Sequence, residues 1–129
     1  MPTTATKTHG AFSWNELSTT DPNAARQFYG ALLGWTFTEK EMGGGAYTVA
    51  SANGEQVAGI MSMPPTAQGM PPFWGSYVTV DDVDASAKRA TELGGKLLVP
   101  HMDVEGVGRF CVIQDPQGAM VALMTYAKM

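Results

Sequence analysis

The 129-residue sequence is short of cysteine, histidine and positive charge, and each shortage excludes something. Its one cysteine, Cys111, has no partner within the chain for a disulfide. The surrounding run Phe110-Cys111-Val112-Ile113 has the apolar character of a buried or half-buried strand, so the thiol is expected to be structural. The eight lysines and arginines are scattered, and the formal charge is −4. A phosphate backbone needs a basic cluster to bind it, so nucleic acid is not an expected partner. No stretch approaches the roughly 18 consecutive apolar residues of a membrane span. The first ten residues, Met1 to Gly10, contain no apolar signal core. A cytoplasmic protein without membrane contact is therefore expected. Gly43-Gly44-Gly45 lacks the Lys-Ser/Thr that follows a phosphate loop and leads into a strand rather than a helix. No serine lies in a nucleophile elbow, and neither His9 nor His101 has an evident Ser or Cys partner.

What the sequence does contain is repetition. Trp14-Asn15-Glu16-Leu17-Ser18-Thr19-Thr20-Asp21 leads into an apolar-periodic stretch that stops at Leu33-Gly34. Gly75-Ser76-Tyr77-Val78-Thr79-Val80-Asp81-Asp82 leads into another that stops at Leu93-Gly94. Asp21-Pro22 supplies an N-cap and a proline at the first helical position, and Gly34 is the natural stop. Ala25, Phe28 and Leu32 share one helical face. Strands are expected over Phe12–Thr19, Trp35–Lys40, Ala46–Ser51 and Gln56–Met63. The second half repeats the order with Trp74–Val80, a helix capped by Asp81 or Asp82, then Lys96–Met102, Gly108–Gln114 and Ala119–Tyr126. Asp115-Pro116-Gln117-Gly118 has the composition of a tight turn.

The expected fold class is therefore α+β, with two βαβββ modules forming a curved eight-stranded mixed sheet around a cleft. An apolar fraction of 44% over 129 residues suits one domain. Module 1 runs over about 11–63, a Pro- and Gly-rich linker over 64–72, and module 2 over about 73–126.

In the order and spacing of these features the chain resembles the vicinal oxygen chelate superfamily of glyoxalases, bleomycin-resistance proteins and extradiol dioxygenases. The residues that carry the resemblance are Asp21-Pro22, Phe28-Tyr29-Gly30-Ala31-Leu32-Leu33-Gly34-Trp35, Val80-Asp81-Asp82-Val83-Asp84 and Asp115-Pro116-Gln117-Gly118. Ser13-Trp14-Asn15-Glu16-Leu17 is similar to a small glyoxalase-like subgroup. The resemblance implies metal ligands at the first and last strands of each module. Carried onto this chain, those places hold Trp14, Gly75, Ala122 and Gly59. A transition-metal site needs at least three N, O or S donors at about 2.0–2.3 Å. Indole, methyl and hydrogen supply none, so no metal and no other cofactor is expected.

Strand parity extends the candidate site. If those places face the cleft, then Trp14, Glu16, Ser18, Gly59, Met61, Gly75, Tyr77, Thr79, Met120, Ala122 and Met124 share that side, while Leu17, Ile60, Val78, Val80, Val121 and Leu123 face the helices. Asn15 is the polar misfit on the helix side. Aromatic rings, thioethers and small residues with a few polar groups make a surface for a flat or irregular organic molecule. The candidate ligand-binding set is Trp14, Glu16, Gly59, Met61, Trp74, Tyr77, Thr79, Met120, Ala122 and Met124, with Trp14 and Trp74 able to flank a ligand.

Several functions stay open. One is a metal-independent binding protein of the glyoxalase/bleomycin-resistance type that takes an aromatic or cationic small organic molecule, as a homodimer. Another is a metal-independent lyase, isomerase or cyclase, with Glu16 as general base and Tyr77 as proton donor. A metal-dependent glyoxalase- or dioxygenase-type enzyme and an interaction module whose cleft Trp14 closes complete the set. For Glu16 the plainer alternative is a solvated carboxylate, or one paired with an arginine such as Arg109.

Overall fold

A computed structural model of the protein describes residues 4–42, 45–63, 69–104 and 106–127. It is α+β, with two α-helices and an eight-stranded mixed sheet. The strands are β1 (Phe12–Thr19), β2 (Thr36–Met42), β3 (Gly45–Ala52), β4 (Glu55–Ser62), β5 (Phe73–Thr79), β6 (Lys96–Val104), β7 (Gly108–Gln114) and β8 (Met120–Tyr126). The helices are α1 (Pro22–Leu33) and α2 (Val83–Glu92). Gly43 and Gly44 of the Gly43-Gly44-Gly45 run and linker positions 64–68 lie outside the described residues.

The chain divides into two compact units, and the boundary falls inside β1 and β5. Trp14–Gly75 belongs to the first, whereas Ser13 and the described residues before it belong with Ser76 and beyond. Backbone hydrogen bonding accounts for the second assignment. Gly10 N–H donates to the Thr79 carbonyl at 2.7 Å, and Thr79 N–H donates to the Ala11 carbonyl at 2.8 Å.

In the first unit the strand order is β2-β3-β4-β1, with β1 and β4 parallel and the remaining pairs antiparallel. The Asp21 carboxylate caps α1 by accepting from Ala24 N–H at 3.0 Å, Pro22 occupies the first turn, and Gly34 ends the helix in the left-handed region at φ 74°. Ala25 of α1 packs on Leu17 and Ile60, with Tyr29 and Phe37 at the margin. Ile60 is completely buried, a burial that contributes about 1.5–3 kcal/mol. Because side chains alternate along a strand, Trp14 and Glu16, and likewise Gly59 and Met61, belong to the opposite face of this sheet. Asn15, on the α1 side by parity, is exposed.

In the second unit the order is β5-β8-β7-β6, with β5 and β8 parallel. Asp82 caps α2, its Oδ1 accepting from Asp84 N–H at 3.1 Å and Ala85 N–H at 3.2 Å. Val83 and Ala87 of α2 pack with Val80, Cys111 and Leu123, flanked by Val78, Ile113 and Val121. Val78, Val80, Val121 and Leu123 are the residues of this group whose parity pointed toward the helix. Strand β6 runs two residues further than its sequence pattern indicates, and its pairing with β7 shifts register between Val99 and Met102. Pro100 lies in that interval and has no N–H for a ladder, which is where a bulge is expected. Among the described residues no helix is long and apolar enough to cross a membrane.

Candidate functional site

The first unit carries a directed chain of three polar groups on the sheet face away from α1. Trp14 Nε1–H donates to the Tyr47 hydroxyl at 2.9 Å. Tyr47 O–H donates in turn to Glu16 Oε2 at 2.7 Å. An indole nitrogen can only donate, so the Tyr47 oxygen is fixed as acceptor toward Trp14 and its single hydrogen goes to the carboxylate. The donor–acceptor polarity therefore runs one way, from indole through phenol to the Glu16 carboxyl group.

Backbone register explains why these three meet. Glu16 of β1 pairs with Gly59 of β4, and Gly59 pairs with Val49 of β3. Tyr47 lies two residues before Val49 and so projects from the same face. Its ring crosses the position of Gly59, where a Cβ would overlap the Tyr47 hydroxyl and ring carbons. Only glycine leaves room for that passage. Trp14 is 6% exposed, so its indole anchors Tyr47 more than it offers an open platform. Glu16, Tyr47 and Met61 are partly exposed.

Trp74 is placed elsewhere. It packs in a cluster with Tyr29 and Trp35, at ring separations of 5.5 and 6.1 Å, and its Nε1–H donates to the Tyr29 hydroxyl at 3.1 Å. Tyr29 belongs to α1, which puts Trp74 on the helix side of the first unit rather than on the face of Trp14 and Glu16. Alternation from Gly75 already assigns Trp74 the opposite parity.

The remaining candidates lie in the second unit, on the sheet face away from α2. Tyr77 pairs with Ala122 and Thr79 with Met124 across the β5/β8 ladder. The Tyr77 ring meets Phe110 edge-on at 6.0 Å. The Thr79 hydroxyl donates to the Ala5 carbonyl at 2.7 Å, which gives it a structural duty. Ala122 and Met124 are buried, whereas Met120 is 44% exposed. Tyr47, whose hydroxyl donates to Glu16, is a residue that the sequence reading missed. An alternating Ala46–Ser51 strand next to a glycine at position 59 was the signal available for it.

Two aspartates of the second unit pair with Arg109. Arg109 Nε donates to Asp84 Oδ1 at 2.8 Å, and Arg109 Nη1 to Asp103 Oδ1 at 3.1 Å. Arg109, offered by the sequence as a partner for Glu16, pairs with Asp84 and Asp103, and Tyr47 is one partner of Glu16. The hydrogen bond from Arg109, opposed by some desolvation and aided by the charges of Arg109 and His101, holds the Asp84 carboxyl below its ordinary value. The guanidinium is correspondingly raised, first by its hydrogen bond to Asp84 and then by that to Asp103. His101 Nε2 stands 3.5 Å from Asp84 Oδ1. His9 Nδ1 accepts from Asp81 N–H at 2.9 Å, well apart in role from His101.

A separate groove of about 300 Å³ opens on the second unit, lined by Ala90, Leu93, Ile113, Pro116 and Leu123 together with Arg89. None of the candidate site residues lines it.

The residues at the superfamily's ligand places do not fit a metal. The one heteroatom of the Trp14 side chain is a donor engaged with Tyr47, and the room in front of Gly59 is filled by the Tyr47 ring. Among the described residues no group of three His, Cys, Asp or Glu side chains is arranged to hold a metal ion.

Comparison with known proteins places these features in a wider set. The family model described as Glyoxalase/Bleomycin resistance protein/Dioxygenase superfamily matches residues 11–123. The chain is 44% identical over 126 residues to a Mycobacterium tuberculosis protein named "Putative glyoxylase CFP32", covering 95% of this chain and 48% of that protein. It is 38% identical over 127 residues to the anthracycline biosynthesis protein DnrV of Streptomyces peucetius, covering 88% of this chain and 46% of that one. The chain thus spans about half the length of the curated relatives it matches. A methylmalonyl-CoA epimerase from Mycobacterium tuberculosis shares the fold at a TM-score of 0.65 and 17% identity, covering 92% of this chain and 89% of the epimerase.

Proposed function

The chain belongs to the glyoxalase/bleomycin resistance protein/dioxygenase superfamily, and on that footing we propose that it is a metal-independent protein that binds a small aromatic or cationic organic molecule. The observation that carries this reading is the Trp14–Tyr47–Glu16 chain, which stands beside two of the places where metal-using members would present ligands. In the first unit the ligand lies against Tyr47, Glu16 and Met61, with Trp14 as the buried support behind them. The relative named for anthracycline biosynthesis favours a flat aromatic ligand, since anthracyclines are polycyclic aromatics. The functional form is a homodimer in the cytoplasm.

An enzymatic reading draws on the same geometry. In it Glu16, whose carboxyl group accepts from the Tyr47 hydroxyl, acts as general base in a metal-independent isomerase, lyase or cyclase. Native mass spectrometry of the purified protein, combined with metal analysis, tests the first reading. A copurified organic ligand, two subunits and sub-stoichiometric metal are expected. One tightly bound metal equivalent per chain would sink the metal-independent reading. For the enzymatic alternative, a Glu16→Gln variant that keeps full turnover on a discovered substrate would remove the general-base role.

A further inference from the structure

The residues before β1 double back over the second unit. Gly10 makes the turn, in the left-handed region at φ 88° that favours glycine. Beyond that pivot the segment meets the end of β5 twice. His9 Nδ1 accepts from Asp81 N–H at 2.9 Å, and the Ala5 carbonyl accepts from the Thr79 hydroxyl at 2.7 Å. A single 3-10 turn over Ala5–Lys7 lies against β8. Thr79 pairs with Met124 in the β5/β8 ladder, and both project from the sheet face away from α2. Although α2 packs on the other face, Thr79 is only 4% exposed and Met124 6%. The turned-back segment lies where these side chains emerge. From Thr4 to His9 the one apolar side chain is that of Ala5, so little hydrophobic area would be lost if the segment lifted.

Resting on the binding reading above, we infer that residues 4–9 form a lid, hinged at Gly10, over a ligand-binding surface of the second unit that includes Thr79 and Met124. Lid and ligand compete for that surface. The Thr79 hydroxyl latches the lid at Ala5, and the Asp81 N–H latches it at His9. Lifting it uncovers a thioether beside a hydroxyl, a surface suited to a flat aromatic molecule. The apparent affinity is then the intrinsic one reduced by the fraction of molecules whose lid is open.

Hydrogen exchange and probe binding on the whole chain test this together. The Lys7 and Thr8 N–H groups donate within the lid, to the Thr4 and Ala5 carbonyls. Their amides should exchange at least about a hundredfold faster than those at the centre of β8, as a locally opening segment does. Exchange as slow as in β8 would make the segment a fixed part of the core and overturn the inference. Thr79→Val removes one latch at nearly constant shape; His9→Ala removes the other and serves alone if Thr79→Val does not fold. Each should raise Lys7 and Thr8 exchange by about two- to tenfold, the worth of one hydrogen bond. Each should also tighten binding of 9-anthracenemethanol, followed by fluorescence titration, by the same factor. Any ligand found to copurify takes the probe's place in that titration. Saturating ligand should in turn speed exchange at Lys7 and Thr8. Variants that leave exchange or affinity unchanged overturn the lid and leave the binding reading standing. If the probe binds neither parent nor variants and no ligand copurifies, the lid and the binding reading fall together.

Discussion

Tyr47 occupies the space that a side chain on Gly59 would need. The two residues sit on neighbouring strands, and the ring is held across the glycine by hydrogen bonds to Trp14 at one side and Glu16 at the other. A methyl group at position 59 therefore cannot be accommodated by a small rotation that keeps both bonds. Gly59→Ala should expel the Tyr47 ring and destabilise the fold by about 1–3 kcal/mol, the usual range for overpacking. Urea unfolding with an unchanged slope measures this. If Gly59→Ala matches the parent within error, the Tyr47 ring is not held where the structure puts it.

The Trp14–Tyr47 bond can be weighed separately. Trp14→Phe keeps much of the ring volume and removes the indole donor to the Tyr47 oxygen. The expected loss is about 1–3 kcal/mol, from one hydrogen bond and a partly unfilled volume. In a double-mutant cycle with Tyr47→Phe, the two losses should fall short of adding by about 0.5–1.5 kcal/mol. Strict additivity would mean that the two side chains do not interact in solution.

Much of the architecture was legible because its signals are local. Asp21-Pro22 and Gly34 mark the ends of α1, and Asp82 with Gly94 brackets α2, through chemistry confined to one helical turn. Parity within a strand was also readable, so Leu17 and Ile60 fell on the helix side and Trp14 with Glu16 on the other. Tyr47 was not readable in that way. Its meeting with Glu16 depends on the register of β3 against β4, which shifts between Ala50 and Ser51, and on β1 pairing with β4 across more than forty positions of sequence. Trp74 was misplaced for a related reason. Its aromatic character suggested a ligand wall, but its partners Tyr29 and Trp35 come from α1 and the residues after it. The salt bridges of Arg109 reach Asp84 and Asp103, pairings that composition cannot rank against Glu16.

The Asp84–Arg109 pair makes a pH-dependent contribution whose sign is fixed. Asp84 is held below its ordinary value of 3.8 in the folded protein. Its contribution to stability is thus present above that ordinary value and is lost as the pH falls through the lower, folded value. Asp84→Asn should be less stable than the parent at neutral pH, and the deficit should close in strong acid. Because the pair is solvent-exposed, added salt should shrink the deficit at neutral pH. Stability curves for both proteins across the acid range would show this, and a deficit that stays constant into strong acid would contradict it.

Cys111 offers a readout of global opening. Its side chain is fully buried within the core beneath α2. Burial pushes the thiol above its ordinary value, and the nearby Asp84 charge pushes in the same direction. Both effects suppress the thiolate, which is the reactive form. A disulfide reagent such as DTNB should therefore react very slowly with the native protein at neutral pH and promptly once urea unfolds it. Between those limits, when reclosing is faster than modification, the rate should follow the population of opened molecules. Gly59→Ala and Trp14→Phe, as destabilised variants, should then react faster by the factor their stability loss implies if the opening that frees Cys111 is global. Acceleration smaller than that factor would show that the second unit opens on its own, independently of the Tyr47 packing in the first. Prompt, stoichiometric reaction of the native parent would instead place Cys111 at the surface and contradict the packing of α2 on β7.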